Sequence, residues 1–429
     1  DPAFTETAQK ANEWIPIRPG TDGAMALAMC QVIIEENLYD KNFVTKYCVG
    51  FDGFKEHLRQ HGYTPEWAET ICGVPASTIQ RLAREFALTK PSMSAIFKGS
   101  GYYTNGADAG RACYILDALC GQVDQPGNIN LKDWAPLHNP VEIPESAKGK
   151  AGHPALHIAM GYPLAPDLPN ARLPQAVLES NPYPVKALWV HATNPVMSDP
   201  NREKVQQMFA ALELAVACEL YMSETALECD VVLPETSFHE QAEIRNGMWL
   251  GPEVILCQPV VPPVGESKPA YEIAKGIAQK MGWGEYFPYE RWEDWAKPML
   301  KDIPISVEEL KEKGFWAGHV RYDKVKDGLA TPSGKVEIFS QAYADAGHDP
   351  YPVFVARSVM PDDDYPLQVT HSKLSMHCNL VTQNNPLLME ICPENWVEIN
   401  ASDAALYGVT DGQDVIIESP KDKVRIKCK

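Results

Sequence analysis

Polar residues that could bind a ligand lie in short loops where apolar runs end. Residues 18–23 (RPGTDG) join the apolar run WIPI to a helix start. There Gly20 lets backbone approach a ligand, Thr21 offers a hydroxyl, and Asp22 can accept from a base or ribose donor. A helix N-terminal turn would use the same residues. Residues 191–200 (HATNPVMSDP) likewise suit either a ligand loop or a proline-stabilised turn.

The familiar catalytic motifs are missing from this sequence. It contains no G-x-G-x-x-G, P-loop, G-x-S-x-G or H-E-x-x-H pattern. Its 11 cysteines include no C-x-x-C pair, so we expect reduced thiols packed as small hydrophobes rather than a metal or disulfide framework. His371 and His377 are a weak metal-ligand pair, because their spacing matches no common site.

Length and charge limit the class of protein. The 429 residues predict two to four domains at roughly 150 residues each. The net charge of −19 argues against binding nucleic acid or an anionic membrane surface, because phosphate backbones would be repelled. The apolar runs are short and interrupted, and no transmembrane helix is expected.

The first part of the chain predicts an α/β region. Helical spacing marks residues 22–37, with Asp22 as N-cap, and two more helices over 64–89. A short apolar run at 94–101 predicts a buried strand, and 110–123 the helix that follows it. Such alternation is typical of βαβ units with a parallel sheet.

A second α/β series follows a proline-rich stretch. Ten of the 36 prolines fall within residues 136–184, which predicts a long irregular connection. Ligands bind beyond the carboxyl ends of parallel strands, so Thr193-Asn194 and Glu219-Leu220 are predicted at a site rim. The predicted elements are strands at 185–192, 214–220 and 229–235, and helices at 202–213 and 268–282.

The last 75 residues have the pattern of a small β-rich, barrel-like domain. One short helix, residues 402–408, interrupts them. The predicted strands are YPLQVTHSK (365–373), NWVEIN (395–400), DVIIES (414–419) and KVRIKCK (423–429).

Several segments together resemble the molybdopterin oxidoreductases of the dimethyl sulfoxide reductase family, in the same order and over essentially all 429 residues. They are residues 1–29, 38–44, 63–79, 192–200, 224–240 and 331–340, with 370–377 and 395–419 near the end. This resemblance implies an α/β fold: two Rossmann-like α/β/α lobes with mainly parallel sheets, and a C-terminal β-barrel-like domain of the double-psi type.

The resemblance also implies a domain plan and a longer subunit. Family catalytic subunits begin with an iron–sulfur domain and a metal ligand, which would lie upstream of Asp1, and the last barrel strands would lie beyond Lys429. We therefore expect a central and C-terminal portion, without the molybdenum ligand and with no catalytic residue assigned. The implied parts are a first guanine dinucleotide-binding lobe (1–130), a Pro-rich connection (131–184), a second lobe (185–355) and the dinucleotide-binding barrel (356–429).

By resemblance the cofactor is bis-molybdopterin guanine dinucleotide with molybdenum or tungsten, and a 4Fe-4S cluster would lie in the preceding part. The carboxylates of Asp22 or Glu219 could accept hydrogen bonds from guanine N–H groups, and backbone amides near glycine could donate to pyrophosphate. Many relatives carry a guanine-binding carboxylate where this chain has Ala270, so that contact is lost or supplied elsewhere. The implied cofactor contacts are Asp1, Gly20, Thr21, Asp22 and Gly99 for one guanosine, Thr193, Asn194, Ser198, Glu219 and Leu220 for the other, and Thr370, His371, Ser372, Lys373 and His377 near the pterins.

The resemblance favours an enzyme that reduces an inorganic sulfur compound, polysulfide or thiosulfate, in anaerobic respiration. The Arg- and Asn-rich loop of formate dehydrogenases is replaced here by NINLKDWAPL. Several alternatives remain within the same fold. They are an arsenate, tetrathionate or other oxyanion reductase, a formate dehydrogenase, a tungsten-dependent hydratase or transhydroxylase, and a cofactor-free scaffold. His371, His377 and Arg245 are candidate polar groups for a small inorganic anion substrate.

The implied partners are an iron–sulfur electron-transfer subunit and a membrane quinone-binding subunit, with no nucleic acid. The implied location is the periplasm or the outer face of the cytoplasmic membrane, with the cytoplasm as the other option.

Overall fold

A computed structural model of the chain describes residues 1–142, 154–247 and 251–429. The chain divides into two compact units. The first contains Asp1–Tyr102 and Gly106–Phe354, and the second contains Tyr103–Asn105 and Val355–Lys429. No helix in the described ranges is both long and apolar enough to cross a membrane.

The first 130 residues are mainly helical, around a central helix that is buried on nearly all sides. Its sequence is almost wholly apolar after Asp22, so every face finds a neighbour. Gly23 lets it approach the helix at 106–119 closely: a Cβ there would lie 3.1 Å from the Ala109 Cα. The elements are α1 (Glu6–Lys10), α2 (Asp22–Glu35), α3 (Lys41–Tyr47), β1 (Cys48–Val49), α4 (Phe51–His61), α5 (Pro65–Cys72), α6 (Ala76–Leu88), α7 (Lys98–Gly101) and α8 (Gly106–Leu119).

Three features of this region differ from the prediction. The βαβ series expected here is not found, because β1 is the one named strand within residues 1–130, and it pairs in parallel only with residues 336–337. Thr21 is the N-cap of α2, and Asp22 is its first helical residue. The predicted strand at 94–101 is wrong, since α7 occupies its second half. The first half is not a strand because Ser94 is hydrogen-bonded to α8. Its N–H donates to Asp117 Oδ1 at 2.9 Å, and its hydroxyl donates to the Cys113 carbonyl at 3.1 Å. The segment is therefore held on α8 and not on a neighbouring strand.

The second part of this unit contains the predicted parallel sheet, in the order β2-β3-β4. His191 is level with Cys218, and Glu219 with Pro234, so the carboxyl ends of the strands meet at one edge. The elements are α9 (Leu156–Ala159), α10 (Leu173–Glu179), β2 (Ala187–His191), α11 (Pro195–Ser198), α12 (Arg202–Ala211), β3 (Leu214–Glu219), β4 (Val231–Pro234), β5 (Glu243–Asn246), β6 (Glu253–Cys257), α13 (Ala270–Lys280), α14 (Trp292–Met299), α15 (Val307–Lys313), β7 (Phe315–Ala317), β8 (Val336–Glu337) and α16 (Gln341–Asp345).

This part of the chain also contains an antiparallel sheet, β5-β6-β7, which the sequence did not predict. Val254 and Leu256 of β6 are buried against α14 and α15. The Pro-rich connection is not irregular throughout, because α9 and α10 lie within it. Its residues 143–153 fall outside the described part of the chain.

The second unit has a three-stranded sheet in the order β10-β11-β9. The barrel stays a prediction, because among residues 355–429 this sheet is open. The strand predicted at 365–373 is wrong: those residues pair with no strand here, and Leu367 and Val369 are exposed. The elements are α17 (Pro386–Ile391), β9 (Trp396–Val397), α18 (Ala401–Tyr407), β10 (Asp414–Glu418) and β11 (Lys423–Cys428).

Most of the cysteines are packed inside the protein. All eleven are free, and eight of them are buried. Burial raises the pKa of the Cys113 and Cys120 thiols to about 12, which keeps both protonated at neutral pH.

Candidate functional site

Several polar groups at the start of α2 have no hydrogen-bond partner among the described residues. We call residues 20–23 the α2 edge. Gly20 has a φ of +76°, a left-handed conformation that favours glycine, and the Thr21 hydroxyl donates to the Arg18 carbonyl at 2.6 Å. The Asp22 carboxylate forms no hydrogen bond or ion pair with any described residue, and neither do the backbone N–H groups of Asp22 and Gly23. A negatively charged hydrogen-bond acceptor and two N–H donors therefore lie next to each other at the N-terminus of α2.

The other residues predicted for this guanosine are Asp1 and Gly99. The Asp1 carboxylate accepts from the Ala3 N–H at 3.0 Å, and its carbonyl accepts from the Trp14 indole at 2.8 Å. Gly99 lies within α7 and is exposed, with open space where a Cβ would stand. Their cofactor contacts stay predictions.

The second predicted group lies where the strands of the parallel sheet end. We call this the sheet edge: residues 191–198, 219–225 and 235. Asn194 is its central side chain. Asn194 Nδ2 donates to Glu224 Oε2 at 2.9 Å, and Oδ1 accepts from the Thr225 hydroxyl at 2.7 Å and the Thr225 N–H at 3.2 Å. Thr225 is 1% exposed and also accepts from the Val196 N–H at 3.0 Å. Asn194 thus joins two loops of the edge.

Glu219 is similarly engaged at the end of β3. One carboxylate oxygen accepts from the Leu220 N–H at 2.8 Å and the other from the Ser223 hydroxyl at 3.1 Å. Ser198 donates to Asp199 at 3.1 Å, and Leu220 is exposed. Thr193 is exposed and has no hydrogen bond to the described residues, so its hydroxyl is the open group of this edge.

Sequence reasoning missed three ionisable groups here. His191 ends β2 and Glu235 follows β4, and their side chains pair at 3.0 Å. Glu224 receives the Asn194 amide, and this hydrogen bond lowers the pKa of its carboxyl. The position of His191 and Glu235 at strand ends was a usable signal, because parallel strands meet at one edge.

A cleft of about 460 Å³ adjoins Ala270 at the start of α13. Tyr271, Glu272 and Ser267 line it. Burial raises the pKa of Tyr271 to about 12, so the phenol stays protonated, and it donates to Glu272 at 3.3 Å. The Ser267 hydroxyl is buried and has no hydrogen-bond partner among the described residues.

The third predicted group belongs to the second unit. Thr370, Ser372 and Lys373 are exposed without hydrogen bonds to the described residues, and His371 is exposed too. His377 is half-buried: Nε2 donates to the Cys392 carbonyl at 3.0 Å, and Nδ1 accepts from the Thr382 hydroxyl at 3.2 Å. Both ring nitrogens of His377 therefore already have partners within the second unit.

Arg245, a candidate for anion binding, already has a partner. Its guanidinium pairs with Glu243 at 2.5 Å, and this interaction raises the pKa of Arg245. An incoming anion would therefore compete with an adjacent carboxylate.

Comparison with known proteins shows two family matches. Residues 1–280 match the molybdopterin oxidoreductase family, and residues 367–429 match the molydopterin dinucleotide binding domain. The thiosulfate reductase molybdopterin-containing subunit PhsA of Salmonella typhimurium is 28% identical, over 100% of this chain and 62% of that protein. Dimethyl sulfoxide reductase DmsA of Escherichia coli is 30% identical, over 100% of this chain and 60% of that protein.

A solved structure extends the likeness to the fold. Acetylene hydratase from Pelobacter acetylenicus superposes with a TM-score of 0.84 at 26% identity, covering 100% of this chain and 64% of that one. The chain spans about three fifths of the length of the curated relatives it matches.

The residues present fit a guanine dinucleotide. The unpaired Asp22 carboxylate can accept hydrogen bonds from the guanine N–H groups, and the unpaired amides of the α2 edge can donate to phosphate. In the separate cleft beside Ala270, the Ser267 hydroxyl also has no hydrogen-bond partner among the described residues. With its family model matched over 280 residues, this chain belongs to the molybdopterin oxidoreductase family.

Proposed function

We propose that this chain binds bis-molybdopterin guanine dinucleotide, with molybdenum or tungsten, in an enzyme that reduces polysulfide or thiosulfate. The observation that carries the choice of substrate is the likeness to a thiosulfate reductase subunit over the whole chain. The cofactor class is supported by the dinucleotide-binding domain match at residues 367–429.

In this proposal the chain's own residues bind and orient. Asp22 accepts from one guanine, and the first amides of α2 donate to the adjoining phosphate. Thr193 and Glu219 hold the second guanosine, with Asn194 keeping their loop in place through Thr225. Lys373 offsets negative charge near the pterins. When bound, the cofactor supplies two-electron oxygen- or sulfur-atom transfer.

We further propose that a 4Fe-4S cluster outside this chain passes electrons to an iron–sulfur subunit and a quinone-binding membrane subunit. The relative PhsA supports this proposal, because it is named as the molybdopterin-containing subunit of its enzyme. The proposed location is the periplasmic side of the cytoplasmic membrane.

A second candidate function is non-redox hydration. The observation in its favour is the superposition on acetylene hydratase with a TM-score of 0.84. Hydration adds water without net electron transfer, so it needs no electron donor.

The test uses the full-length protein that contains this chain, purified without oxygen. Molybdenum and tungsten are quantified, and turnover is followed with a reduced dye against polysulfide, thiosulfate, tetrathionate and arsenate, and with an oxidised dye against formate. Acetylene hydration is measured without dye. Dye-dependent reduction fastest with polysulfide or thiosulfate is the expected result. Absence of both metals, or turnover with acetylene alone, would contradict the proposal.

A further inference from the structure

A cluster of potential metal ligands lies in the first unit, away from the α2 edge and the sheet edge. His57 and His61 are four residues apart on α4, so their side chains lie on one face a turn apart. Asp349 comes from the loop after α16. One ligand atom from each of the three residues lies within 4.8 Å of the others.

Hydrogen bonds fix which ring nitrogens of the two histidines carry protons. His57 Nε2 lies 3.1 Å from the Pro352 carbonyl, and His61 Nδ1 lies 2.9 Å from the His57 carbonyl. A carbonyl oxygen only accepts, so both of these nitrogens donate. In the neutral rings, Nδ1 of His57 and Nε2 of His61 therefore carry lone pairs. Metal-binding histidines are typically oriented by such a bond from the other ring nitrogen to a carbonyl or carboxylate.

The loop that carries Asp349 has two anchors besides the His57 bond to the Pro352 carbonyl. Arg111 donates to the Pro350 carbonyl at 2.5 Å, and the Tyr351 hydroxyl donates to the Gly50 carbonyl at 3.2 Å. One Asp349 oxygen accepts from the Tyr351 N–H at 3.0 Å, and the other has no hydrogen-bond partner among the described residues. The carboxylate therefore keeps an oxygen for a cation.

We propose that His57, His61 and Asp349 bind a divalent transition metal such as Zn²⁺, with water as the fourth ligand. Two imidazoles and a carboxylate with an open position are a common zinc ligand set. Tetrahedral bonds of about 2.0–2.1 Å place ligand atoms roughly 3.4 Å apart, so small side-chain rotations of the exposed His61 and Asp349 are needed. The ion would fasten the 349–352 loop to α4.

The experiment is equilibrium dialysis of the untagged full-length protein against Zn²⁺, followed by elemental analysis. The variants are His61→Asn and Asp349→Asn, singly and together. His319→Asn is the matched control, because it removes an exposed imidazole outside the cluster. Cys378→Ser removes the one exposed thiol among the eleven. Circular dichroism checks the fold of each variant.

We expect one equivalent of zinc to bind at least tenfold more weakly in each cluster variant and unchanged in both controls. X-ray absorption at the zinc edge should show nitrogen and oxygen ligands near ~2.0 Å and no sulfur shell near ~2.3 Å. Equal zinc binding in the wild type and the double variant, a sulfur shell, or no bound zinc would overturn the proposal and leave the histidines as hydrogen-bonding groups only.

Discussion

The α2 edge and the sheet edge are both predicted to hold a guanosine, yet they are built in opposite ways. At the α2 edge the Asp22 carboxylate and two backbone amides have no partners among the described residues. At the sheet edge Asn194 and Glu219 are occupied by hydrogen bonds to Glu224, Thr225, Leu220 and Ser223. Polar groups of the first edge therefore lack internal partners, whereas Asn194 and Glu219 of the second edge already have them.

Because of this difference, substitutions at the two edges should affect ligand binding and folding stability to different extents. A group without internal partners can be removed at little cost to folding, so its loss should weaken ligand binding alone. A group that satisfies buried partners contributes to folding whether or not a ligand binds, because its removal leaves those partners unpaired. The same amide or carboxylate chemistry therefore has different consequences at the two edges.

Asn194→Ala should give the largest effect on folding. It leaves the buried Thr225 hydroxyl and N–H without their acceptor, which we expect to cost about 2–4 kcal/mol of unfolding free energy. Chemical denaturation measures this loss. Thr193→Ala is the control, and it should change the free energy by less than about 0.5 kcal/mol. Equal effects of the two variants would remove the distinction between the edges.

Asp22→Asn should change binding and leave folding nearly intact. A charge-assisted hydrogen bond to guanine contributes about 1.5–3 kcal/mol, so retention of guanine nucleotide should fall about ten- to hundredfold. Stability should change by less than about 1 kcal/mol through the helix dipole. The readout is guanine nucleotide per protein after prolonged dialysis. Asp52→Asn is the matched control for Asp22→Asn, because Asp52 is an exposed carboxylate in the first turn of another helix, α4.

The contribution of Asn194 should depend on pH. Its hydrogen bond lowers the pKa of Glu224 below the ordinary value of 4.5, so this stabilisation is present above 4.5 and is lost as pH falls through the folded-state pKa. The difference in unfolding free energy between wild type and Asn194→Ala should therefore be smaller at about pH 3.5 than at about pH 7. A difference independent of pH would exclude the ionised Glu224 from the network.

The pair of His191 and Glu235 should contribute least. The His191 side chain is 45% exposed, and such pairs contribute about 0–1 kcal/mol. A double-mutant cycle of His191→Gln and Glu235→Gln measures the coupling directly. Coupling above about 2 kcal/mol would mean that the sheet edge is held by this pair and not by Asn194.

Local patterns in the sequence predicted α2 and the strands β2, β3 and β4, because an apolar run with a cap or a turn specifies each element nearby. Local patterns do not predict which segments pair as strands. Residues 94–97 look like a strand and pack on α8 instead, and β5-β6-β7 depends on chain segments far apart. The contact from Asn194 to Thr225 spans 31 residues, so no local motif reveals it.

The residues of the candidate site likewise divide into those that local sequence patterns reveal and those that only the fold reveals. Asp22, Glu219 and Glu235 were visible as polar residues at the ends of elements, whereas Glu224 was recognised only through its contact with Asn194. The spacing of His57 and His61 is plain in the sequence, but Asp349 reaches them only through the fold.

The most direct test of the central claim is the ratio of guanine nucleotide to metal in the protein purified without oxygen. Acid release of nucleotide and elemental analysis on one sample should give two guanine nucleotides per molybdenum or tungsten, one for each edge. A protein that contains neither guanine nucleotide nor either metal would contradict the claim that this chain binds a bis-molybdopterin guanine dinucleotide cofactor.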